Sequence, residues 1–173
     1  QSPERRPPFP KNFVDPETSS LKEMISREKK TIYIPRKLDI ERLKRLADLG
    51  WQLSGTERSS VRVLDIGGGH GFMDKLLADE CGRSKTECCV IDMDIDQEVL
   101  KGAKQAYGHT PGLEFVNADA ENDGIGLFPE TFDLVIASWP SPKKFLGGEY
   151  AYGDLIHQNK PPLVAWIGDV TIG

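Results

Sequence analysis

An apolar run that leads directly into a cluster of glycines restricts the fold of this chain more than any other feature. Val61–Ile66 reads V-R-V-L-D-I, residues 67–71 read G-G-G-H-G, and residues 72–80 have the apolar spacing of a helix. Glycine lets the backbone turn tightly and approach a ligand without a Cβ in the way, and the first turn of a helix offers free N–H groups. The segment therefore predicts a strand, a ligand-binding turn and a helix, with an ordinary glycine-rich turn as the alternative.

The rest of the chain continues the alternation of strands and helices. Further apolar runs lie at 88–93, 113–118, 132–137 and 163–167, and a helical pattern lies at 97–107. Short strands separated by helices predict βαβ units and a parallel sheet that is covered on both faces. The predicted fold class is therefore α/β, a three-layer sandwich with a mostly parallel sheet over residues 61–173. In such sheets, ligands bind at the carboxyl ends of the strands, near the point where the strand order reverses.

Residues 1–60 have a different pattern and are predicted to form an N-terminal arm and a mostly helical cover. Prolines and charges dominate 1–18, a short helix is expected over 20–29, and a second helix is expected to begin after Asp39. Between these helices, 31–34 is a brief β-prone stretch that is followed by a proline.

The charges are distributed unevenly along the 173 residues, whose net charge is −5. Residues 1–48 hold twelve Lys and Arg against eight Asp and Glu, whereas residues 49–173 hold ten against nineteen. An acidic body is poorly suited to a phosphate backbone, so a nucleic-acid partner is disfavoured. No apolar run reaches 18 residues, so no membrane span is predicted. Three cysteines without metal-ligand spacing predict no metal site and a reducing, cytoplasmic compartment.

The spacing of the glycines distinguishes between ligands. A dinucleotide fingerprint reads G-x-G-x-x-G, and a P-loop ends in Lys followed by Ser or Thr. Here Gly67, Gly69 and Gly71 follow the pattern D-x-G-x-G-x-G, with Asp65 as the acid. This pattern resembles motif I of the class I S-adenosylmethionine-dependent methyltransferases. In that family the glycine loop passes under the methionine portion of the cofactor, and the acid helps to fix the amino-acid end.

The end of the next predicted strand is similar to the same family. Residues 94–100 read D-I-D-Q-E-V-L and align without a gap with the family's D-I-S-P-E-M-L. A carboxylate at this point can accept hydrogen bonds from both ribose hydroxyls. The alignment assigns that role to Asp94 rather than to Asp92, and it leaves Asp96 as the N-cap of the following helix.

The ends of the third and fourth predicted strands extend the resemblance. Residues 115–121 read F-V-N-A-D-A-E and are similar to a family segment whose Asp and next backbone N–H read the adenine edge, which implies those roles for Asp119 and Ala120. The fourth strand ends in S-W-P at 138–140. Many amino methyltransferases carry Asn, Asp or Ser followed by Pro-Pro-aromatic here, so this departure gives no ground for an amine acceptor. Trp139 is expected either to stack on a planar substrate or to pack in the core.

The resemblance implies S-adenosyl-L-methionine as the cofactor and methyl transfer to an unidentified acceptor, with a small molecule or a protein favoured. Methyl transfer from a sulfonium is an in-line displacement to which alignment contributes much of the catalysis, so no catalytic residue is assigned. The implied cofactor-binding residues are Asp65, Gly67, Gly68, Gly69, Gly71, Asp94, Ile95, Asp119, Ala120 and Ser138.

A complete fold of this family has seven strands, and its last two form an antiparallel pair beside the fifth. The chain ends at Gly173, soon after the fifth predicted strand. The C-terminal strands are therefore expected to be missing, which leaves the fifth strand as an open edge. Truncation, a partner chain or oligomer contact that covers this edge, and a short variant of the fold are the alternatives.

Other functions remain open beside methyl transfer. A non-catalytic S-adenosylmethionine-binding or scaffold protein is the main alternative, because of the missing strands and the altered loop after Ser138. An aminopropyl transferase would have extra acids after the fourth strand, where Lys143 and Lys144 stand instead. A nicotinamide-dependent oxidoreductase is disfavoured by the glycine spacing.

Overall fold

The computed structural model describes residues 13–14, 30–35, 40–54, 60–119, 128, 131–138 and 163–168. The short helix predicted over 20–29 lies outside these residues. In chain order, the described elements are β1 (Phe13–Val14), β2 (Lys30–Pro35), α1 (Ile40–Ser54), β3 (Val61–Ile66), α2 (Phe72–Arg83), β4 (Cys88–Asp94), α3 (Gln97–Tyr107), β5 (Leu113–Asn117), β6 (Leu134–Ser138) and β7 (Leu163–Gly168).

The described strands form one sheet with the order β1-β2-β7-β6-β3-β4-β5. Every neighbouring pair in this sheet is parallel, which confirms the predicted α/β class. β3 has β4 on one side and β6 on the other, so the strand order reverses at β3. The carboxyl ends of β6, β3, β4 and β5 consequently lie side by side along one edge, where sheets of this kind bind ligands.

The expectation that β7 is an open edge is wrong. β2 pairs with β7 along its whole length, from Lys30 opposite Leu163 to Pro35 opposite Gly168, and β1 pairs with β2. Strands from the N-terminal segment thus lie beside β7, the strand that was expected to be the open edge. They pair with it in parallel, whereas the family's closing strands form an antiparallel pair. No partner chain is required to cover β7.

The described part of the N-terminal segment contains one helix and two short strands. The helix expected after Asp39 is confirmed as α1, and its stripe of apolar side chains is buried (Leu43, Leu46, Ala47 and Leu49). The β-prone stretch at 31–34 lies within β2. Its β-branched and aromatic residues favour a strand, but periodicity alone does not identify a pairing partner that is distant in the sequence.

The core is divided between the two faces of the sheet by the alternation of side chains along the strands. In β3, Val61 and Val63 belong to the cluster that includes the buried side chains of α1 and α2. Leu64 and Ile66 belong to a second cluster with Phe128 and other residues. Each fully buried large apolar side chain stabilises the fold by about 1.5–3 kcal/mol. These two layers hold β3 rigidly, and β3 carries the glycine loop.

Candidate functional site

The glycine loop between β3 and α2 has a backbone that requires glycine at three positions. Gly67, Gly69 and Gly71 have φ angles of 75°, 61° and 77°, in the left-handed region that side chains with a Cβ rarely adopt. The amides of Gly67 and Gly68 donate to the Met93 carbonyl at 2.7 and 3.3 Å. The loop is therefore attached to the end of β4.

The middle of this loop faces open space. A Cβ built at Gly69 would meet no heavy atom of the described residues within 4 Å. α2 begins just beyond this loop. Its N-cap is Gly71, which has no side chain to cap the first N–H groups of the helix. Backbone N–H groups in the first turn of a helix attract anionic or polar ligand groups. The loop and the start of α2 thus form an open, polar surface at the ligand edge of the sheet.

Asp94 connects the glycine loop to the end of β4. Its Oδ2 accepts a hydrogen bond of 2.9 Å from the Gly69 amide, and its Oδ1 accepts one of 2.9 Å from the Asp96 amide. Asp94 remains partly exposed, and the adjacent Ile95 is 67% exposed. Asp92, the rejected candidate, is fully buried. The geometry gives only Asp94 access to a ligand, although its role toward ribose stays a prediction.

Asp96 is confirmed as the N-cap of α3. Its Oδ1 accepts hydrogen bonds from the amides of Glu98 and Val99 at 3.0 and 3.2 Å. This cap fixes the turn between β4 and α3, so the backbone at Asp94 and Ile95 is constrained from the helix side as well as from the loop side.

Asn117, at the end of β5, is a site residue that sequence reasoning missed. Its Nδ2 donates to the carbonyls of Asp94 and Ile95 at 3.0 and 3.1 Å, and the Ala118 amide donates to the Asp94 carbonyl at 3.1 Å. Asn117 therefore holds the end of β4 from its other side. An asparagine at the end of a strand suggests a hydrogen bond from its side chain to a neighbouring backbone. Its acceptors can be identified only when the register between β4 and β5 is known.

Two further predicted site residues are described, and both lie at the carboxyl edge of the sheet. Asp119 follows β5 and is partly exposed, and Ser138 is the last residue of β6. Ala120 and the loop that begins at Trp139 lie outside the described residues. Among the predicted residues, the glycine loop and Asp94 are joined directly by a hydrogen bond, and Asp119 and Ser138 lie at the ends of β5 and β6.

Three carboxyl groups lie beneath the glycine loop, and sequence reasoning identified only Asp65 among them. Asp65 of β3, Asp74 of α2 and Asp92 of β4 are each 0% exposed. A Cβ at Gly68 would overlap Asp92 Oδ1 and would lie 2.7 Å from Asp74 Oδ2, so the loop rests directly on these groups. We call Asp65, Asp74 and Asp92 the buried acid cluster.

Asp74 belongs to no motif, and Asp92 was considered only as a ribose ligand. The positions of both nevertheless indicate buried acids. Asp74 precedes Leu77, Ala78 and Cys81 at helical spacing, and these three residues form the buried stripe of α2. Asp92 lies within the apolar run of β4. An acid on an apolar stripe is a candidate for a buried titratable group.

Two members of the buried acid cluster, Asp74 and Asp92, have raised pKa values. Burial raises the pKa of the Asp74 carboxyl well above its ordinary value, and the charge and hydrogen bond of Asp65, with the charge of Asp92, raise it further. Burial also raises the pKa of Asp92 to about 8, with contributions from the charges of Asp65 and Asp94. As carboxylates, Asp74 and Asp92 have no hydrogen-bond donor within the described part of the chain. Because unpaired buried charge is costly, the protonated forms are favoured.

The described ranges lack two features that would point to other functions. No group of three acidic, cysteine or histidine side chains is arranged to hold a metal ion. No helix combines the length and the apolar character needed to cross a membrane.

The sheet order, the glycine loop and the acid at the next strand end together place polar groups at the edge where α/β sheets of this kind bind ligands. Residues 63–144 match the family described as "Methyltransferase domain". This stretch of the chain, from β3 to just beyond β6, is therefore similar to a methyltransferase domain.

Several known proteins are similar to the chain. A phthiotriol/phenolphthiotriol dimycocerosates methyltransferase of Mycobacterium tuberculosis is 31% identical over 123 residues, which cover 63% of this chain and 42% of that protein. A highly reducing polyketide synthase of Nectria sp is 28% identical over 93 residues, which cover 51% of this chain and 4% of that protein. The crystal structure of the 23S rRNA methyltransferase ErmE has a TM-score of 0.49 and 22% identity over 77% of this chain and 47% of that one.

The chain spans less than half the length of these curated relatives, since the matches cover 42% of the first and 4% of the second.

Proposed function

We propose that the chain binds S-adenosyl-L-methionine at the glycine-loop edge and that the protein transfers the cofactor's methyl group to an acceptor. The observation that carries this proposal is the hydrogen bond between the Gly69 amide and Asp94 Oδ2. It joins the two parts of the site that would hold opposite ends of one ligand, the methionine portion at the loop and the ribose at the carboxylate.

Asp94 is oriented before any ligand arrives. Each of its oxygens already accepts one backbone N–H, and a carboxylate has about four acceptor positions. One acceptor position on each oxygen is therefore left for a ribose hydroxyl. Because the backbone fixes the carboxylate, little side-chain entropy is lost on binding. The exposed side chain of Ile95 offers an apolar contact for the adenine ring beside it.

The glycine loop supplies the other half of the site. The space above Gly69 is open, so the methionine portion can approach the backbone closely. When bound, the cofactor supplies an electrophilic methyl group on a sulfonium. The chain's own contribution is to hold that methyl group in line with an acceptor, which is the kind of catalysis that positioning provides.

Isothermal titration with S-adenosylhomocysteine tests the cofactor site. We expect Asp94→Asn to weaken binding at least about tenfold, a loss of about 1.4 kcal/mol, because the acceptor for one ribose hydroxyl is removed. Asp96→Asn is the matched control, since it removes a charge two residues away while Asn preserves the N-cap. Binding by Asp96→Asn should stay within about twofold of wild type. Equal losses in both variants, or none in either, would contradict the assignment of Asp94.

The acceptor is proposed to be a small molecule or a protein. The acidic balance of residues 49–173 disfavours a nucleic acid, and the first relative above is named as a methyltransferase of phthiotriol and phenolphthiotriol dimycocerosates. All three cysteines are free thiols, which fits a reducing compartment, and we propose the cytoplasm.

A labelling experiment separates an enzyme from a cofactor-binding scaffold. Tritiated methyl label from the cofactor is followed in a cell extract with and without added protein, and the products are divided into small-molecule, protein and nucleic-acid fractions. Label in the small-molecule or protein fraction supports the proposal. Label confined to nucleic acid contradicts the acceptor class, and tight cofactor binding without transfer favours the scaffold.

A further inference from the structure

The backbone pairing between β4 and β5 stops at the carboxyl edge of the sheet. Its last partners are Asp94 and Asn117, and the Ala118 amide donates to the Asp94 carbonyl at 3.1 Å. Beyond Asp94 the chain leaves the sheet and turns into α3, whose N-cap is Asp96. Ile95 therefore lies outside the ladder, between the last paired residue of β4 and the helix.

The side chain of Asn117 extends this pairing by one residue. Its Nδ2 carries two hydrogens, and it donates to the carbonyls of Asp94 and Ile95 at 3.0 and 3.1 Å. Both distances are those of well-formed N–H···O bonds. The amide group thus acts as the peptide N–H of a further strand residue would, and it fixes the Ile95 backbone to the end of β5.

The segment that Asn117 holds carries the two side chains that would contact the adenosine half of the cofactor. The Asp94 carboxylate is bonded to the glycine loop through the Gly69 amide, and the side chain of Ile95 is 67% exposed. Asn117 binds the backbone from which both side chains project. A small displacement of that backbone would therefore move the ribose acceptor and the adenine contact together, and misplacement of a site by about 1 Å is enough to impair it.

The exposure of Asn117 separates this role from packing. Its side chain is exposed, so it buries little apolar area in the core. Phe115, two residues earlier on β5, is by contrast packed against the core cluster that includes α1 and α2. What the Asn117 side chain adds to the molecule is therefore its pair of hydrogen bonds at the end of β4.

We propose that Asn117 is a positioning residue for the adenosine half of S-adenosyl-L-methionine. It acts through the backbone of Asp94 and Ile95, and it requires no ligand contact of its own. The inference rests on the function proposed above, since it needs a cofactor at this edge of the sheet. A site whose supporting hydrogen bonds are already formed loses less conformational entropy when its ligand binds.

Calorimetric titration of two variants distinguishes positioning from the filling of space. Asn117→Ala removes both donors, whereas Asn117→Asp keeps the shape of the side chain but turns carboxylate oxygens toward the two carbonyls. We expect S-adenosylhomocysteine to bind about fivefold more weakly to Asn117→Ala and at least about tenfold more weakly to Asn117→Asp. If the side chain only fills space, Asn117→Asp should bind better than Asn117→Ala. That order of affinities, or wild-type affinity in both variants, would overturn the proposal.

A smaller ligand locates the effect within the site. 5′-Methylthioadenosine contains the adenosine half of the cofactor but lacks the amino-acid portion that would lie at the glycine loop. Asn117→Ala should weaken its binding by about the same factor as it weakens the binding of S-adenosylhomocysteine. A loss confined to S-adenosylhomocysteine would show that Asn117 acts on the glycine loop, contrary to the proposal. Gln105→Ala, which removes an exposed amide from α3, is the matched control and should bind both ligands as wild type does.

A measurement on the wild-type chain keeps the proposal testable if a variant folds poorly. By nuclear magnetic resonance, the side-chain amide hydrogens of Asn117 should exchange with water at least about threefold more slowly than those of Gln105, because both are hydrogen-bonded. Equal exchange rates would overturn the proposal. A wild-type chain that does not bind S-adenosylhomocysteine would overturn the proposed cofactor site and this inference with it. Normal binding by wild type and by both Asn117 variants would overturn this inference alone.

Discussion

Asp92 and Asp94 lie two residues apart on β4, and their surroundings give the same functional group opposite properties. Asp94 is partly exposed and accepts two backbone N–H groups, which stabilise its charge. Asp92 is fully enclosed, and no donor among the described residues reaches its oxygens. One carboxyl is thus prepared to bind a ligand, and the other holds a proton beneath the loop.

The protonated state of Asp92 predicts a specific pH dependence of stability. The folded pKa is about 8 against an ordinary value of 3.8, so the folded chain keeps a proton that the unfolded chain releases between these values. The free energy of unfolding should therefore fall by about 1.4 kcal/mol per pH unit for this proton as the pH rises through that window. Stability is greatest at the acidic side and is lost as the pH approaches 8.

Asp92→Asn should remove this contribution, because the amide has the shape of the protonated acid and does not titrate. We expect the variant to be more stable than wild type near pH 8 and to show a shallower decline between about pH 5 and pH 8. Urea denaturation across that range measures both effects. Parallel stability curves for the two proteins would contradict a protonated Asp92. Asp74 contributes with the same sign, so some slope should persist in the variant.

At the scale of elements, different glycines of the β3–loop–α2 unit serve folding and binding. Gly68 is packed onto the buried acid cluster, whereas Gly69 faces open space. Sequence could predict this unit because a strand, a glycine turn and a helix that are consecutive in the chain are specified by local patterns. It could not predict which glycine packs against protein and which faces open space, because that depends on where the side chains of Asp74 in α2 and Asp92 in β4 lie in three dimensions.

Two alanine substitutions distinguish these requirements. Gly68→Ala should destabilise the fold by about 3 kcal/mol, since its Cβ would overlap a buried carboxyl oxygen. Gly69→Ala should cost only about 1 kcal/mol, from its positive φ, yet it should weaken S-adenosylhomocysteine binding at least about tenfold. Thermal melts and calorimetric titration provide the two measurements. A Gly69→Ala chain that binds as tightly as wild type would show that the ligand does not approach this part of the loop.

At the scale of the whole molecule, the sheet is completed by strands from the opposite end of the chain. β2 lies against β7, although Ile32 and its partner Ala165 are separated by most of the sequence. The alternation of strands and helices from β3 onward predicts a parallel sheet, and the structure confirms it. The pairing of β2 with β7 follows no local rule, and for that reason the N-terminal segment was expected to be a helical cover and β7 an open edge.

Ile32→Pro tests whether β2 stabilises the sheet. Ile32 lies in the middle of the β2–β7 ladder, and proline removes the backbone donor that a paired strand requires. We expect a loss of about 3 kcal/mol in the free energy of unfolding and, because β7 becomes an exposed edge, concentration-dependent association. Ile32→Val is the matched control, since it keeps the donor and the β-branched shape. Urea unfolding and light scattering measure the two effects. If Ile32→Pro is as stable and as monodisperse as Ile32→Val, β7 is protected by something other than β2. If the Ile32→Pro chain folds and associates but still binds S-adenosylhomocysteine as wild type does, β2 protects the edge of the sheet without supporting the cofactor site. That result is expected from the sheet order, because β2 is separated from β3 by β7 and β6.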